Sequence, residues 1–257
     1  MKRSIARLLL VVALVLVLPS FAVARMSDGD FFRLCAKGSP AQIRAAIRAG
    51  AKVNARDENG NTPLHAAAGH NSSADVIQML RKAGAEVNAR NMYKVTPLHL
   101  AASDNTNPEV LKALMNAGTD PNSRDDAGMT PLHYAAMFNH NHQVITVLLN
   151  AGANMNAREE NSWTPLYFAA SKNPNQEVIK AFIKGGANLN IRDEKGNTPL
   201  HWAALQCSNP KVITTMLNAG ANAKARNRAG ALPIHIAQYN ESLNGTPEYW
   251  ALHDASF

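Results

Sequence analysis

The sequence predicts an all-α solenoid in which a helix–loop–helix unit recurs every 34 residues and β-hairpin-like loops join the units. Three series of residues support this prediction. A Thr-Pro-Leu-His motif starts at 62 and recurs, with changes in two copies, at 96, 130, 164, 198 and 232. A glycine occurs at 50, 84, 118, 152, 186 and 220, and an arginine at 56, 90, 124, 158, 192 and 226. Chance does not place three series in one register.

The first 24 residues precede the repeats. Basic residues at positions 2, 3 and 7 are followed by an apolar run from Leu8 to Leu18 and by Ala22-Val23-Ala24. This order is typical of a secretory signal peptide, so we expect cleavage after Ala24, a mature chain from Arg25, and a periplasmic or secreted protein. Retention as a membrane anchor is the alternative, although the run is shorter than the about 20 residues that span a bilayer.

Each motif is expected to begin a short first helix. Threonine suits the N-cap, where its hydroxyl can bond a free amide, and proline suits the first helical position because it has no N–H to lose there. A pair of alanines follows in each of five units, as at Ala67-Ala68. These small side chains allow the backbones of neighbouring units to approach closely.

A second helix is expected after a second start signal, which is a serine or an asparagine, as at Ser73 and Asn107. Apolar residues then follow at helical spacing, as Val110, Leu111 and Leu114 do. The recurring glycine stands where the end of a helix favours a left-handed residue. Helix, loop and helix therefore make up the unit.

The polar segments between units, such as 54–61, lack helical periodicity and indicate extended hairpins. In four of them an acidic residue follows the recurring arginine, as Asp57 follows Arg56, so we expect local ion pairs there. Removal of residues 1–24 also lowers the formal net charge from +7 to +4, because three of the 26 Lys and Arg residues lie in that segment. Both observations argue against binding to nucleic acid.

The chain resembles the ankyrin-repeat family, in particular small secreted or periplasmic bacterial members, since it carries five near-complete copies of the family's Thr-Pro-Leu-His-x-Ala motif. The resemblance implies that the motif histidines bond the start of the helix and tie adjacent loops together. It also implies that the chain from 25 to 257 is one ankyrin-repeat domain. Its parts are an N-terminal cap at 29–61, full repeats at 62–95, 96–129, 130–163, 164–197 and 198–231, and a C-terminal cap at 232–257, whose Tyr249-Trp250-Ala251-Leu252 should close the core.

No residues form a catalytic, nucleotide-binding or phosphate-binding motif, so we expect a non-enzymatic protein without a cofactor or metal. His140 and His142 lie outside the repeat register and leave a metal-dependent protein as an alternative, although a structural zinc site needs four ligands. Cys35 and Cys207 are too many repeats apart to form a disulfide. Cys207, expected in a loop, is either a tolerated thiol, which we favour, or a bridge to another molecule.

Function is expected where the units differ from one another. In ankyrin-like proteins the hairpin tips and the concave face of the first helices bind partners, and in the middle repeats these positions become apolar and aromatic. The expected partner-binding patch consists of Tyr93, Val95, Met129, Met137, Phe138 and Trp163. Apolar patches with polar rims are typical of protein-binding hot spots. Tyr134, Phe168 and Trp202 are expected instead to fill space between repeats.

The sequence therefore predicts a monomeric scaffold that binds an unidentified protein partner and, once its signal segment is removed, no membrane. One alternative is a secreted effector that acts in a host cell, which differs in destination and not in physics. The other is the metal-dependent protein built on His140 and His142. An ankyrin-like surface has no transferable code from residue to ligand, so the sequence does not name the partner.

Overall fold

A computed structural model describes residues 26–257, so the predicted signal segment at 1–24 and Arg25 lie outside the described residues. The described chain consists of helices and turns and contains no strand. Its helices are α1 (Asp28–Lys37), α2 (Pro40–Arg48), α3 (Pro63–His70), α4 (Ala74–Lys82), α5 (Pro97–Asp104), α6 (Pro108–Asn116), α7 (Pro131–Phe138), α8 (His142–Asn150), α9 (Pro165–Lys172), α10 (Gln176–Lys184), α11 (Pro199–Gln206), α12 (Lys211–Asn218), α13 (Pro233–Ala237) and α14 (Pro247–Ser256). The helix–loop–helix unit predicted from the period is confirmed.

The helices pair into layers, and each layer packs on the next. The first helices α1, α3, α5, α7, α9, α11 and α13 contact one another in that order, and the second helices form a parallel row. The paired alanines of the first helices, such as Ala101 and Ala102, are fully buried between layers. The apolar side chains form one continuous cluster from Phe31 to Leu252, so each layer depends on its neighbours for its core.

The motif histidines hold each layer to the next, as the resemblance implied. Nδ1 of His65 accepts a hydrogen bond from the Thr62 amide at 3.0 Å, which leaves its Nε2–H to donate to the Val95 carbonyl at 3.1 Å. His99, His133 and His201 repeat both contacts. The threonine hydroxyl also lies 3.0 Å from Nδ1 of the same ring, and the threonine and the histidine together form a capping box at the start of the helix. The expectation that the threonine occupies the N-cap is confirmed.

The expectation of local arginine ion pairs along the hairpins was wrong. Nη1 of Arg124 donates to the Gly128 carbonyl in its own hairpin at 2.8 Å and to the Arg158 carbonyl in the next at 2.7 Å. Among the residues described, Arg56 is the hairpin arginine with an ion pair, and its partner is Glu86 in the next hairpin and not Asp57. The acidic residue after the arginine instead accepts turn amides, as Asp125 does from the amides of Ala127 and Met129.

A ladder of buried asparagines, which the sequence analysis did not single out, ties the loops between paired helices. Asn105 donates to the carbonyls of Ala68 and Asn71 at 2.9 Å each, one layer back. Asn71, Asn139 and Asn173 repeat this pattern. Position 207 of the same series is Cys207, which is 2% exposed. Cys207 lies in the loop after α11, as expected, but because it is buried, the alternative that it bridges to another molecule is wrong.

The C-terminal cap differs in part from expectation. Leu252 is fully buried and Tyr249 packs against the core, whereas Trp250 is 55% exposed on the outer side of α14. Leu252 therefore closes the stack and Trp250 does not, because residues two apart on a helix face different directions. Within residues 26–257, no helix is long and apolar enough to cross a bilayer.

Candidate functional site

The six residues of the expected patch occupy different environments. Tyr93 at a hairpin tip and Phe138 at the end of α7 are exposed, at 55% and 48%. Met129, Met137 and Trp163 are partly buried. Val95 is 7% exposed, so its inclusion as a contact was wrong: its side chain is buried, and its carbonyl accepts the His65 bond.

Trp163 is the centre of an aromatic cluster that we define as Trp163, Tyr167, Phe168 and Trp202. The Trp163 ring centroid lies 4.4 Å from that of Trp202, 5.3 Å from that of Phe168 and 5.7 Å from that of Tyr167. Phe138 contacts Tyr134 instead, at 6.3 Å. Within the described part of the chain, no ring contact joins Tyr93 to either group. The structure thus concentrates the aromatic surface on Trp163.

Phe168 and Trp202 were expected to fill space between repeats, but both are partly exposed and line a pocket with Trp163. They occupy the position after the motif's fourth residue, on the side of the first helices that faces the hairpins. Phe168 also packs edge-on against the His133 ring, at 5.7 Å. These two side chains therefore support the neighbouring layer and add to the accessible aromatic surface.

Two buried carboxylates hold the aromatic cluster in place. Oε1 of Glu159 accepts the amides of Asn161 and Trp163 at 2.9 and 3.0 Å. Oδ2 of Asp193 accepts the indole N–H of Trp202 at 2.8 Å, and its Oδ1 accepts two turn amides. Both carboxylates are 8% exposed. Hydrogen bonds to carboxylates are among the stronger ones, so Asp193 orients the indole of Trp202 and Glu159 fixes the hairpin backbone at Trp163.

The junction between the α9–α10 layer and the α11–α12 layer lacks bonds that recur elsewhere in the described chain. At other junctions a backbone amide of one hairpin donates to a carbonyl of the preceding hairpin, as the Glu160 amide does to Ala127 and the Arg228 amide to Lys195. The equivalent bond here, from the Glu194 amide to the Asn161 carbonyl, is absent. Asparagine side chains bond a glycine carbonyl at four other junctions, but Asn156 does not bond that of Gly186. These hairpins are therefore less tightly joined.

A pocket of about 320 Å³ opens at this junction. We call it the junction pocket, and its lining residues are Glu159, Asn161, Trp163, Phe168, Asp193, Glu194, Lys195 and Trp202. Among the described residues, none of its three carboxylates forms an ion pair. Oε1 of Glu194 accepts the Ser162 hydroxyl at 3.1 Å. The pocket combines aromatic walls with three carboxylates and one cation, Lys195.

Two changes in the repeat accompany the pocket. Ser162 has φ 65° at a position that is glycine in four other hairpins and Lys94, with φ 56°, in a fifth, and this left-handed conformation costs a non-glycine residue about 1–2 kcal/mol. Tyr167 replaces the motif histidine, and its ring stacks on Trp163. Burial raises the pKa of Tyr167, so the phenol stays protonated and donates to the carbonyls of Ile191 and Asn197. Strained or atypical residues of this kind concentrate at functional sites.

The histidines of the metal alternative lie away from this pocket. His140 and His142 are exposed, and the His140 carbonyl accepts the Asn175 side chain at 2.6 Å. Across residues 26–257 no group of three or more His, Cys, Asp and Glu side chains is placed to hold a metal ion.

The roles of Glu159, Asp193 and Glu194 and the exposure of Trp202 were not predicted from the sequence. The available signal was the fourth copy of the motif, where Tyr167 replaces histidine while the flanking Trp163 and Phe168 are both aromatic. A tyrosine at a position that is otherwise histidine marks a layer with a different environment. The carboxylates had no such signal, since acidic residues recur at the two positions after the hairpin arginine.

Comparisons with known proteins agree with this architecture. The family profile described as Ankyrin repeats (3 copies) matches residues 98–193, 132–227 and 167–246, and the profile described as Ankyrin repeat matches residues 59–92. The crystal structure of the human ASB11 ankyrin repeat domain is similar, with a TM-score of 0.75 and 25% sequence identity over 88% of this chain and 96% of that one. No curated protein sequence matches the chain.

Proposed function

The chain belongs to the ankyrin-repeat family, and on that premise we propose that it is a non-enzymatic scaffold which binds another protein through its hairpin tips and the concave face of its first helices. The proposal centres the binding surface on the aromatic cluster. Phe138 and Tyr93 add exposed apolar area one and two layers before Trp163.

The observation that carries the proposal is the position of Trp163. Its indole is partly exposed, contacts three other aromatic rings and lines the junction pocket. Tryptophans that sit in a packed, partly open setting are the side chains most enriched among binding hot spots. An indole held by neighbouring rings also loses little conformational entropy when a partner covers it.

The test uses two tryptophan variants of the same protein. The wild-type chain captures its partner from a periplasmic extract, and the affinity of the purified partner is then measured for Trp163→Ala and for Trp250→Ala. Trp250 is the matched control because it is an exposed tryptophan on α14, outside the aromatic cluster. We expect Trp163→Ala to weaken binding by at least about 2 kcal/mol. The melting curve measures separately the stability that is lost with its three ring contacts. Equal affinity of the two variants would contradict the proposal.

We further propose that residues 1–24 export the protein, so that the scaffold acts in the periplasm or outside the cell. Sequencing of the mature N-terminus is expected to start at Arg25. Cell fractionation distinguishes a periplasmic scaffold from an effector delivered to a host cell. Recovery of the full-length chain in the membrane fraction would favour an uncleaved anchor.

A further inference from the structure

We propose, building on the protein-binding function above, that the junction pocket receives the guanidinium group of an arginine from a basic segment of the partner. The inference adds the chemistry of the ligand to the binding surface. It depends on the pocket's walls, its charge and its size.

The walls suit a planar cation. Trp163 is tilted by 56° to Trp202 and by 59° to Phe168, so the three rings form angled walls and not a closed stack. The faces of indole and phenyl rings attract cations, and tryptophan does so most strongly. A guanidinium group is flat and weakly hydrated, so it stacks on such faces more readily than an ammonium group.

The charge of the pocket is the second element. Glu159, Asp193 and Glu194 contribute three carboxylates, and Lys195 is the cation among the lining residues. The neighbouring Arg158 and Arg192 keep their positive charge but do not line the pocket. Their guanidinium groups donate to backbone carbonyls of their own and the next hairpin, and within the described residues neither forms an ion pair with these carboxylates. The lining residues of this basic chain therefore carry more negative than positive charge. Low-dielectric walls around such charges strengthen their attraction for a cation.

Asp193 and Glu159 supply charge from within the wall, whereas Glu194 is positioned to bind directly. The buried pair already accept three or more N–H groups each. Glu194 is exposed at the rim, and within the described structure its Oε1 accepts only the Ser162 hydroxyl. A rim carboxylate can accept two N–H groups of one guanidinium in the parallel geometry that favours arginine over lysine.

The size of the pocket limits the ligand to one side chain. A volume of about 320 Å³ is at the lower end of the range for small-molecule sites, which start at about 300 Å³. The open side of the pocket leaves room for the peptide that carries the arginine. A basic, flexible segment of a partner protein fits these features.

The experiment uses short peptides as probes, with the mature protein labelled so that the indole N–H signals of Trp163 and Trp202 are resolved by NMR. One peptide is acetyl-Gly-Arg-Gly-Arg-Gly-amide, and the other replaces both arginines by citrulline, which has nearly the same shape and no charge. We expect saturable shifts of both indole signals with the arginine peptide and at least tenfold weaker binding of the citrulline peptide. Higher salt should weaken the binding of the arginine peptide.

Two carboxylate variants localise the effect. Glu194→Gln should weaken binding of the arginine peptide at least threefold. Glu160→Gln should leave the affinity unchanged, because Glu160 is exposed in the adjacent hairpin and does not line the pocket. Equal binding of both peptides, no saturable shift, or an equal loss in both variants would overturn the inference. The proposed protein-binding function is decided separately by partner affinity of Trp163→Ala, so the two can fail independently.

Discussion

The phenol of Tyr167 donates to the carbonyl of Asn197 at 3.0 Å, across the same 30-residue separation that the imidazole of His133 spans to Trp163. Tyrosine thus maintains the bond between layers. It does not provide the ring nitrogen that accepts the threonine amide in neighbouring units, and among the described contacts Thr164 has no such bond. Its ring stacks on Trp163 instead. One substitution in the motif therefore preserves the stack and supports the aromatic cluster.

Replacement of this tyrosine by the consensus residue should separate stability from binding. In Tyr167→His, Nδ1 can accept the Thr164 amide and Nε2–H can reach the Asn197 carbonyl, so we expect the unfolding free energy to change by less than about 1.5 kcal/mol. The stacking contact with Trp163, worth about 0.5–1.5 kcal/mol, is lost. Affinity for the partner or the arginine peptide should fall severalfold. Urea unfolding and the NMR titration measure the two effects, and unchanged binding would contradict this role for Tyr167.

The fold was predictable because its determinants recur. A period of 34 residues repeats the same local chemistry at each layer, so an ambiguous residue in one unit can be interpreted from the equivalent residues in the others. The motif histidines, the left-handed glycines and the alanine pairs were all identified in this way. Gly84, for example, has φ 92° after α4, as expected for the end of a helix. Contacts that depend on which way a side chain turns, such as those of Arg124 and Asp125, were not predictable from adjacency in sequence.

The binding surface was less predictable because it depends on departures from the repeat. Exposed and buried positions differ by one or two residues in a hairpin, and the sequence does not show that Val95 turns inward while Tyr93 stays outside. Trp202 could be assigned to packing because its position is alanine, aliphatic or aromatic in every other unit. Only the structure shows that missing bonds between hairpins open a pocket beside it.

The stability of the stack should fall in mild acid because of the motif histidines. Burial lowers the pKa of His65 and of His133 to about 4, and it also lowers the pKa of His99 and His201. An unfolded histidine has a pKa of about 6.5, so between pH 6.5 and 4 the unfolded chain binds more protons than the folded one. Each such histidine therefore contributes stability that is complete above pH 6.5 and is lost as the pH falls towards 4.

Urea unfolding at several pH values between 7.5 and 4.5 measures this loss. The slope should approach about 1.4 kcal/mol per pH unit for each histidine within its window. His142→Gln, at an exposed position, should retain the wild-type slope, whereas His133→Gln should be less stable at pH 7.5 and should show a smaller slope. Stability that does not change from pH 7 to 4.5 would contradict the structural role of these rings.

Cys207 interrupts the asparagine ladder, so restoring the asparagine should stabilise the protein. In the layer before it, Asn173 donates to the Ala136 and Asn139 carbonyls and accepts the Asn175 amide. In Cys207→Asn the same three contacts should form one layer on. Each net hydrogen bond contributes about 0.5–1.5 kcal/mol, partly offset by burial of the amide, so we expect a gain of about 1 kcal/mol.

The converse change tests the same ladder. Asn173→Cys removes a rung and leaves two buried carbonyls without their donor, so it should cost about 2 kcal/mol or more. Denaturant unfolding under reducing conditions compares both variants with the wild type. If Cys207→Asn destabilised the protein, the packing of the Cys207 side chain would matter more than the hydrogen bonds that an asparagine can form there.

Two hairpin glycines separate backbone strain from crowding. Gly196 and Gly230 have similar φ values, 75° and 78°. A Cβ on Gly230 meets nothing within 4 Å, whereas on Gly196 it lies 3.0 Å from the amide nitrogen of Arg228 in the next hairpin. That amide donates to the Lys195 carbonyl at 2.9 Å, so the crowding acts on a bond between hairpins.

Gly230→Ala should cost about 1 kcal/mol from the left-handed conformation alone, and Gly196→Ala should cost about 1 kcal/mol more because the displaced amide weakens its bond. Since the backbone contribution cancels in the comparison, urea unfolding of the pair measures how tightly the hairpins approach, and equal losses would show that the hairpin of Arg228 moves aside without cost.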